Sequence, residues 1–77
     1  MKSYQDMKEI LDSAIEALPR GRQEIFRLSR EEGLSNEEIA QRLNISINTV
    51  KGQMRKALAF LKSYLEWISV YLVLISL

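Results

Sequence analysis

Apolar residues recur at every third or fourth position along most of the chain, and this spacing predicts α-helices. The first helix is expected from about Tyr4 to Leu18, with an apolar stripe made of Met7, Ile10, Leu11, Ala14, Ile15 and Leu18. Pro19 ends this helix and suits the first turn of a second one. The second helix is expected to extend to about Glu32, followed by Gly33, a residue type common just beyond helix ends.

A capping pattern marks a third helix. Ser35 lies three residues before Glu38, which is the spacing of a capping box, and the helix is expected to end near Leu43. In the Asn44-Ile45-Ser46 segment that follows, asparagine tolerates the left-handed backbone of a sharp turn and serine is a good N-cap. We expect the isoleucine of this turn to fill the space between the third helix and a fourth.

The fourth helix begins at Ile47 and keeps its apolar spacing over roughly 30 residues, about 45 Å of helix. The side chains expected to face the core are Val50, Met54, Ala57, Leu58 and Leu61. Past Trp67 the residues are apolar all round and rich in valine and isoleucine, so a buried strand is an alternative there. The predicted fold is an all-α four-helix domain over residues 1–66, containing a helix-turn-helix, with an apolar C-terminal tail over 67–77.

The composition excludes several classes of function. The 77 residues make one small domain. The sequence has no cysteine and no histidine, which excludes disulfides, thiolate chemistry, most zinc sites and histidine acid–base catalysis. We therefore expect no enzyme activity, no cofactor and no metal site. A cytoplasmic location is expected, because small secreted domains usually need disulfides that this sequence lacks, and the N-terminal residues do not resemble a signal peptide.

Charge is distributed unevenly although the net charge is only +1. No acidic residue lies between Glu38 and Glu66, whereas this stretch contains Arg42, Lys51, Arg55, Lys56 and Lys62. A basic stretch of this kind indicates an anionic partner. A solvated helix face without a partner is the alternative.

A capped short helix, a three-residue turn and a capped basic helix together form the pattern of a helix-turn-helix, whose second helix lies in the DNA major groove. The side chains able to read adenine or guanine are Asn48, Lys51 and Arg55 on its outward face and Gln53 near the boundary of that face. The cations suited to phosphates are Arg42, Lys56 and Lys62. Gly52 lies on the same face, where it is either a tolerated surface glycine or a point of close approach to DNA. A helical bundle without a DNA-binding role is the alternative for the whole unit.

Taken together, the motifs resemble region 4 of sigma-70-type RNA polymerase sigma factors over about residues 6–64. The resemblance is greatest to the extracytoplasmic-function group and its Bacteroidetes branch. It is carried by Leu18-Pro19, Phe26, the stretch 33–40 (GLSNEEIA), the stretch 43–46 (LNIS), Thr49-Val50-Lys51 and Lys56-Ala57-Leu58.

The resemblance implies that the last helix binds the minus-35 promoter element and that the domain docks on the flap of the polymerase beta subunit. Carried over by position, the promoter contacts are Ser46, Asn48, Thr49, Lys51, Gly52, Gln53, Arg55 and Lys56. An anti-sigma factor that covers region 4 is a further implied partner. The chain lacks the region that melts the minus-10 element, so we expect a domain of a longer protein, with a free-standing protein that resembles region 4 as the alternative.

Two positions depart from the family pattern. Asn44 stands where glycine is usual and can adopt the same backbone, whereas Gly52 stands where a polar or charged contact is common, which alters base readout. A dimeric regulator of the LuxR type, which binds an inverted repeat, shares the central motifs and is the alternative. The Leu-Pro opening, Phe26 and the uninterrupted stretch 56–62 favour the sigma family.

The tail predicts a second function of a different class, an interaction module for which the helix-turn-helix is a scaffold. Its predicted contact residues are Trp67, Ile68, Tyr71, Leu72 and Ile75. A heptad spacing that would support a homodimer is formed by Met54, Ala57, Leu61, Tyr64, Ile68, Tyr71 and Ile75. No membrane span is expected, because the twenty residues from Leu58 onward include Lys62 and Glu66.

Overall fold

A computed structural model describes residues 3–76 of the chain. Its four helices are α1 (Ser3–Glu16), α2 (Arg20–Arg30), α3 (Asn36–Leu43) and α4 (Ile47–Ser76). The all-α prediction is confirmed, and the strand alternative past Trp67 is wrong, because α4 continues without a break to Ser76. Residues 1, 2 and 77, which complete the predicted domain and tail, lie outside the described residues.

The long helix α4 is the element against which the other three pack. One cluster joins α1 and α2 to the middle of α4 and contains Ala14, Ile15, Leu18, Phe26, Ala57 and Leu61. A second cluster joins α2 and α3 to the start of α4 and contains Ile25, Leu28, Ile39, Ala40 and Val50. Met54 packs against both clusters, so the core is continuous along one side of α4.

The turn between α3 and α4 has the predicted chemistry. Asn44 adopts the left-handed conformation, with φ 56° and ψ 48°, and the Ile45 N–H donates to the Ala40 carbonyl over 3.0 Å. Ile45 is half-buried and packs against the second cluster, which confirms that it fills the space beside the turn. Ser46 then caps α4, because its hydroxyl accepts from the Thr49 N–H over 3.0 Å.

Three apolar side chains predicted to face the core are exposed. Met7 (64%) and Leu11 lie in the N-terminal part of α1, where Ile10 is half-buried beside α4 in a groove it shares with Ile68 but no residue belongs to a buried cluster. Leu58 is 43% exposed, because it lies about 100° around the helix from the fully buried Ala57, at the edge of the stripe that α1 and α2 cover.

The capping box at the start of α3 is complete. The Ser35 N–H donates to Glu38 Oε1 over 2.9 Å, and the Glu38 N–H donates to Ser35 Oγ over 3.1 Å. Donation from the Ser35 backbone, helped by the Ser35 hydroxyl and the charge of Arg42, lowers the pKa of the Glu38 carboxyl below its usual value of 4.5. The ionised carboxylate is therefore the form that stabilises this helix end.

Replacing Glu38 with glutamine should destabilise the domain at neutral pH and have a smaller effect in acid. A lowered pKa in the folded state means that the stabilisation is present above the unfolded-state pKa and is lost as the pH falls through the folded-state pKa. Urea unfolding of the wild type and Glu38→Gln, from about pH 7 to about pH 3, checks this.

Glu37→Gln is the matched control, because it removes a neighbouring first-turn charge that takes no part in the capping box. A difference between wild type and Glu38→Gln that stayed constant across the pH range would contradict the assignment.

Candidate nucleic-acid interface

The helix-turn-helix is formed by α3, the three residues 44–46 and the first turns of α4. Its orientation is fixed by the left-handed turn residue on one side and the Ser46 cap on the other. The hydroxyls of Ser46 and Thr49 are also 2.9 Å apart. These two predicted contact residues are exposed, yet their hydroxyls already take part in the cap.

The outward face of α4 brings together four predicted contact residues, all exposed: Asn48, Lys51, Arg55 and Lys56. Val50 and Ala57, on the opposite side, are 0% exposed. The helical period thus separates a buried stripe from a polar one within the same three turns. A helix with such a face has the dimensions and donor groups needed to enter the major groove.

Some cations of the domain pair with carboxylates, whereas those of α4, like Arg20, Arg22 and Arg30 of α2, do not among the described residues. On the other elements, Lys8 pairs with Asp12, Arg27 with Glu31, and Arg42 with Glu32 over 3.7 Å. Within residues 3–76, no cation on α4 forms such a pair. The positive charge on the outward face of α4 is therefore not neutralised by ion pairs among the described residues. The predicted phosphate contact Arg42 is exposed and its pair is a weak one.

Gln53 occupies a different environment from its neighbours. It is half-buried, and its Oε1 accepts a hydrogen bond of 2.9 Å from Nε of Arg22 on α2. Both side chains line a shallow groove between the N-terminal ends of α2 and α4. Arg22 was not predicted from the sequence, because no periodic pattern or local motif connects two residues 31 positions apart.

The structure does not require a glycine at position 52. Gly33 is the one glycine with a positive φ among the described residues. A Cβ at Gly52 would meet only the Arg55 guanidinium, at 3.9 Å, which is ordinary van der Waals contact. Neither the backbone conformation nor the packing of the free domain therefore accounts for this residue.

The tail from Trp67 to Ser76 exposes apolar side chains on every side of the helix. Trp67 is 75% exposed, and exposure above a third continues through Val70, Tyr71, Leu72, Val73, Leu74 and Ile75. Ile68 is half-buried in a groove against α1. The N-terminal half of the predicted heptad seam is unavailable to a partner, because Ala57 and Leu61 belong to the domain's own core.

The length and composition of α4 also meet the criteria for a membrane-spanning helix, and 6% of its apolar window is buried. These criteria are weak evidence when one helix meets them, since core helices of soluble proteins meet them too. The absence of a membrane span stays a prediction. Among residues 3–76, no cluster of histidine, cysteine or acidic side chains could hold a metal ion.

Comparison with known families gives a match over most of the chain. The family model for sigma-70 region 4 matches residues 8–61, which covers all of α2 and α3, most of α1 and the first half of α4. The matched range ends before the apolar tail begins. No curated protein and no solved structure matches the chain.

Proposed function

This chain belongs to the sigma-70 region 4 family, which recognises promoter DNA in transcription initiation, and we propose that α4 reads the minus-35 element in the major groove. The family is a class of DNA-binding domains and not of enzymes. The observation that carries the proposal is the exposed face of α4, where cations without carboxylate partners lie opposite the buried core.

The proposed roles follow from side-chain chemistry and position. Lys51 and Arg55 donate to guanine, and Asn48 pairs with adenine. The cations at the edge of the face bind phosphates, which position the domain without reading sequence; these are Arg42 and Lys56. Ser46 and Thr49 support this arrangement by fixing the start of the helix.

In this proposal the domain works within the cytoplasmic transcription machinery. It belongs to an extracytoplasmic-function sigma factor and docks on the flap of the polymerase beta subunit. An anti-sigma factor would regulate it by covering the same domain. These assignments rest on the family and on the motifs in the sequence.

Selection from a randomised duplex pool, followed by binding of the selected duplexes across a salt series, tests the DNA-binding role. A single non-palindromic motif, with a salt slope of several charges, is the expected result. An inverted repeat would instead support a dimeric regulator of the LuxR type. Failure to enrich any motif would leave the helix-turn-helix as a scaffold and the tail as the functional surface.

Arg55→Ala should weaken binding to the selected duplex by about 1–3 kcal/mol, because a bidentate arginine–guanine contact is lost. The loss on a scrambled duplex should be much smaller. Fluorescence anisotropy on both duplexes measures the difference. Lys8→Ala is the control, because it removes one positive charge from α1, away from the helix-turn-helix. Equal losses on the two duplexes would make Arg55 a phosphate contact.

Gly52→Ala should raise the thermal stability of the domain and lower its affinity for DNA. Alanine is favoured over glycine in a helix interior by about 1 kcal/mol, and the added Cβ fits the free domain. The same methyl would obstruct a helix backbone that lies close to DNA. Thermal unfolding and anisotropy, measured on one preparation, separate the two effects.

Gly21→Ala on α2 is the matched control for this change, since a Cβ there meets nothing within 4 Å. Gain of stability with unchanged DNA affinity in Gly52→Ala would contradict the close approach of position 52 to DNA.

The exposed tail supports a second role, self-association through the part of the seam that the core leaves free. We expect the chain to associate at micromolar concentration, because water-exposed apolar side chains of this extent are usually covered by a partner. Sedimentation should give a monomer for the double variant Tyr71→Glu, Ile75→Lys, whose charges are spaced to preserve the helix. A monomeric wild type would contradict self-association.

A further inference from the structure

The Arg22–Gln53 contact joins α2 to the recognition helix. Among the described residues it is the one hydrogen bond between side chains of two different helices. Both side chains are half-buried, so the contact is partly shielded from competing water. Its 2.9 Å length lies at the preferred distance for an N–H···O bond.

The hydrogen-bond donors of Arg22 fix the orientation of the Gln53 side-chain amide. A guanidinium has only N–H donors and no acceptor, so the atom that faces Arg22 Nε must be Gln53 Oε1. The amide plane then turns its carbonyl toward α2 and leaves Nε2 as the group available elsewhere. A bidentate contact with adenine requires both amide atoms to face the base edge, and this orientation does not provide it.

We propose that Arg22 is a positioning residue that sets the base preference of Gln53. With Oε1 held by α2, Gln53 presents only N–H donors to the major groove. It therefore prefers guanine, which offers the two acceptors N7 and O6 there, over adenine, which offers the single acceptor N7 beside its own N6–H2 donor. The inference rests on the proposed function, because it assumes that α4 binds DNA. It replaces the adenine contact that the sequence predicted for Gln53.

The charge environment is consistent with a positioning role. No carboxylate of the described residues pairs with Arg22, although Glu24 lines the same groove. The arginine thus contacts a neutral amide on the recognition helix, and its removal also deletes one cation beside the DNA. A ratio of affinities for two duplexes cancels that general electrostatic loss, so base preference is the informative quantity.

The test uses the full chain and the duplex selected by the wild type. Comparison of wild type with Gln53→Ala across single-base-pair variants identifies the base pair that depends on Gln53. At this position the wild type should prefer guanine over adenine by about fivefold or more, as expected for one specific contact. Arg22→Met should shift the ratio toward adenine by a similar factor. In the Gln53→Ala background, Arg22→Met should leave this ratio of affinities unchanged.

Arg20→Met is the matched control. It removes the same charge two residues away on the same helix, and it should lower all affinities while leaving the ratio unchanged. Nuclear magnetic resonance of the Gln53 side-chain amide gives a second readout without DNA, because its signals should move in Arg22→Met and stay in Arg20→Met.

Three results would overturn the inference while leaving the proposed function intact: a wild type that prefers adenine at this base pair, an unchanged ratio in Arg22→Met, or no base pair that depends on Gln53. A wild type that selects no duplex would overturn the proposed function and the inference together. The two failures are therefore distinguishable in one set of measurements.

Discussion

The structure depends on one helix that must bury one side and expose the other within the same few turns. Val50 and Ala57 are fully buried on α4, one against α2 and α3 and the other against α1 and α2. The opposite side then lies outward by helical geometry alone. Because α1, α2 and α3 all pack on this one helix, the packing of the core sets the orientation of the outward face of α4. A change that rotated α4 would disturb both clusters at once.

Features that arise from neighbouring residues could be predicted from the sequence. The capping box at Ser35, the left-handed Asn44 and the cap at Ser46 each depend on residues within four positions of one another, and all three are present. Features that depend on distant packing could not. The exposure of Leu58 follows from how far α1 and α2 reach around α4, and the Arg22–Gln53 bond joins residues brought together only by the complete fold.

The burial of α4 changes along its length, because the other helices cover the apolar side chains of its first part only. Up to Tyr64 the helix is amphipathic and its apolar stripe is covered by α1, α2 and α3. From Trp67 onward the apolar side chains point in all directions, and α1 covers only the side of Ile68. One short helix cannot cover every side of another. The two halves of α4 therefore face different surroundings, although no break in the helix separates them.

The outward face of α4 and its edge contain two kinds of side chain: those held by a hydrogen bond within the protein and those that are free of such contacts. Ser46, Thr49 and Gln53 each have a hydrogen-bond partner within the protein, whereas Lys51 and Arg55 form no ion pair within residues 3–76. Free side chains can adapt to a base or a phosphate, but ordering each of them costs about 0.5–1.5 kcal/mol on binding. A held side chain has already lost its conformational freedom during folding, so binding does not require this ordering again. In the proposed function, discrimination by Gln53 therefore depends on its fixed geometry, and the free cations contribute most to overall affinity.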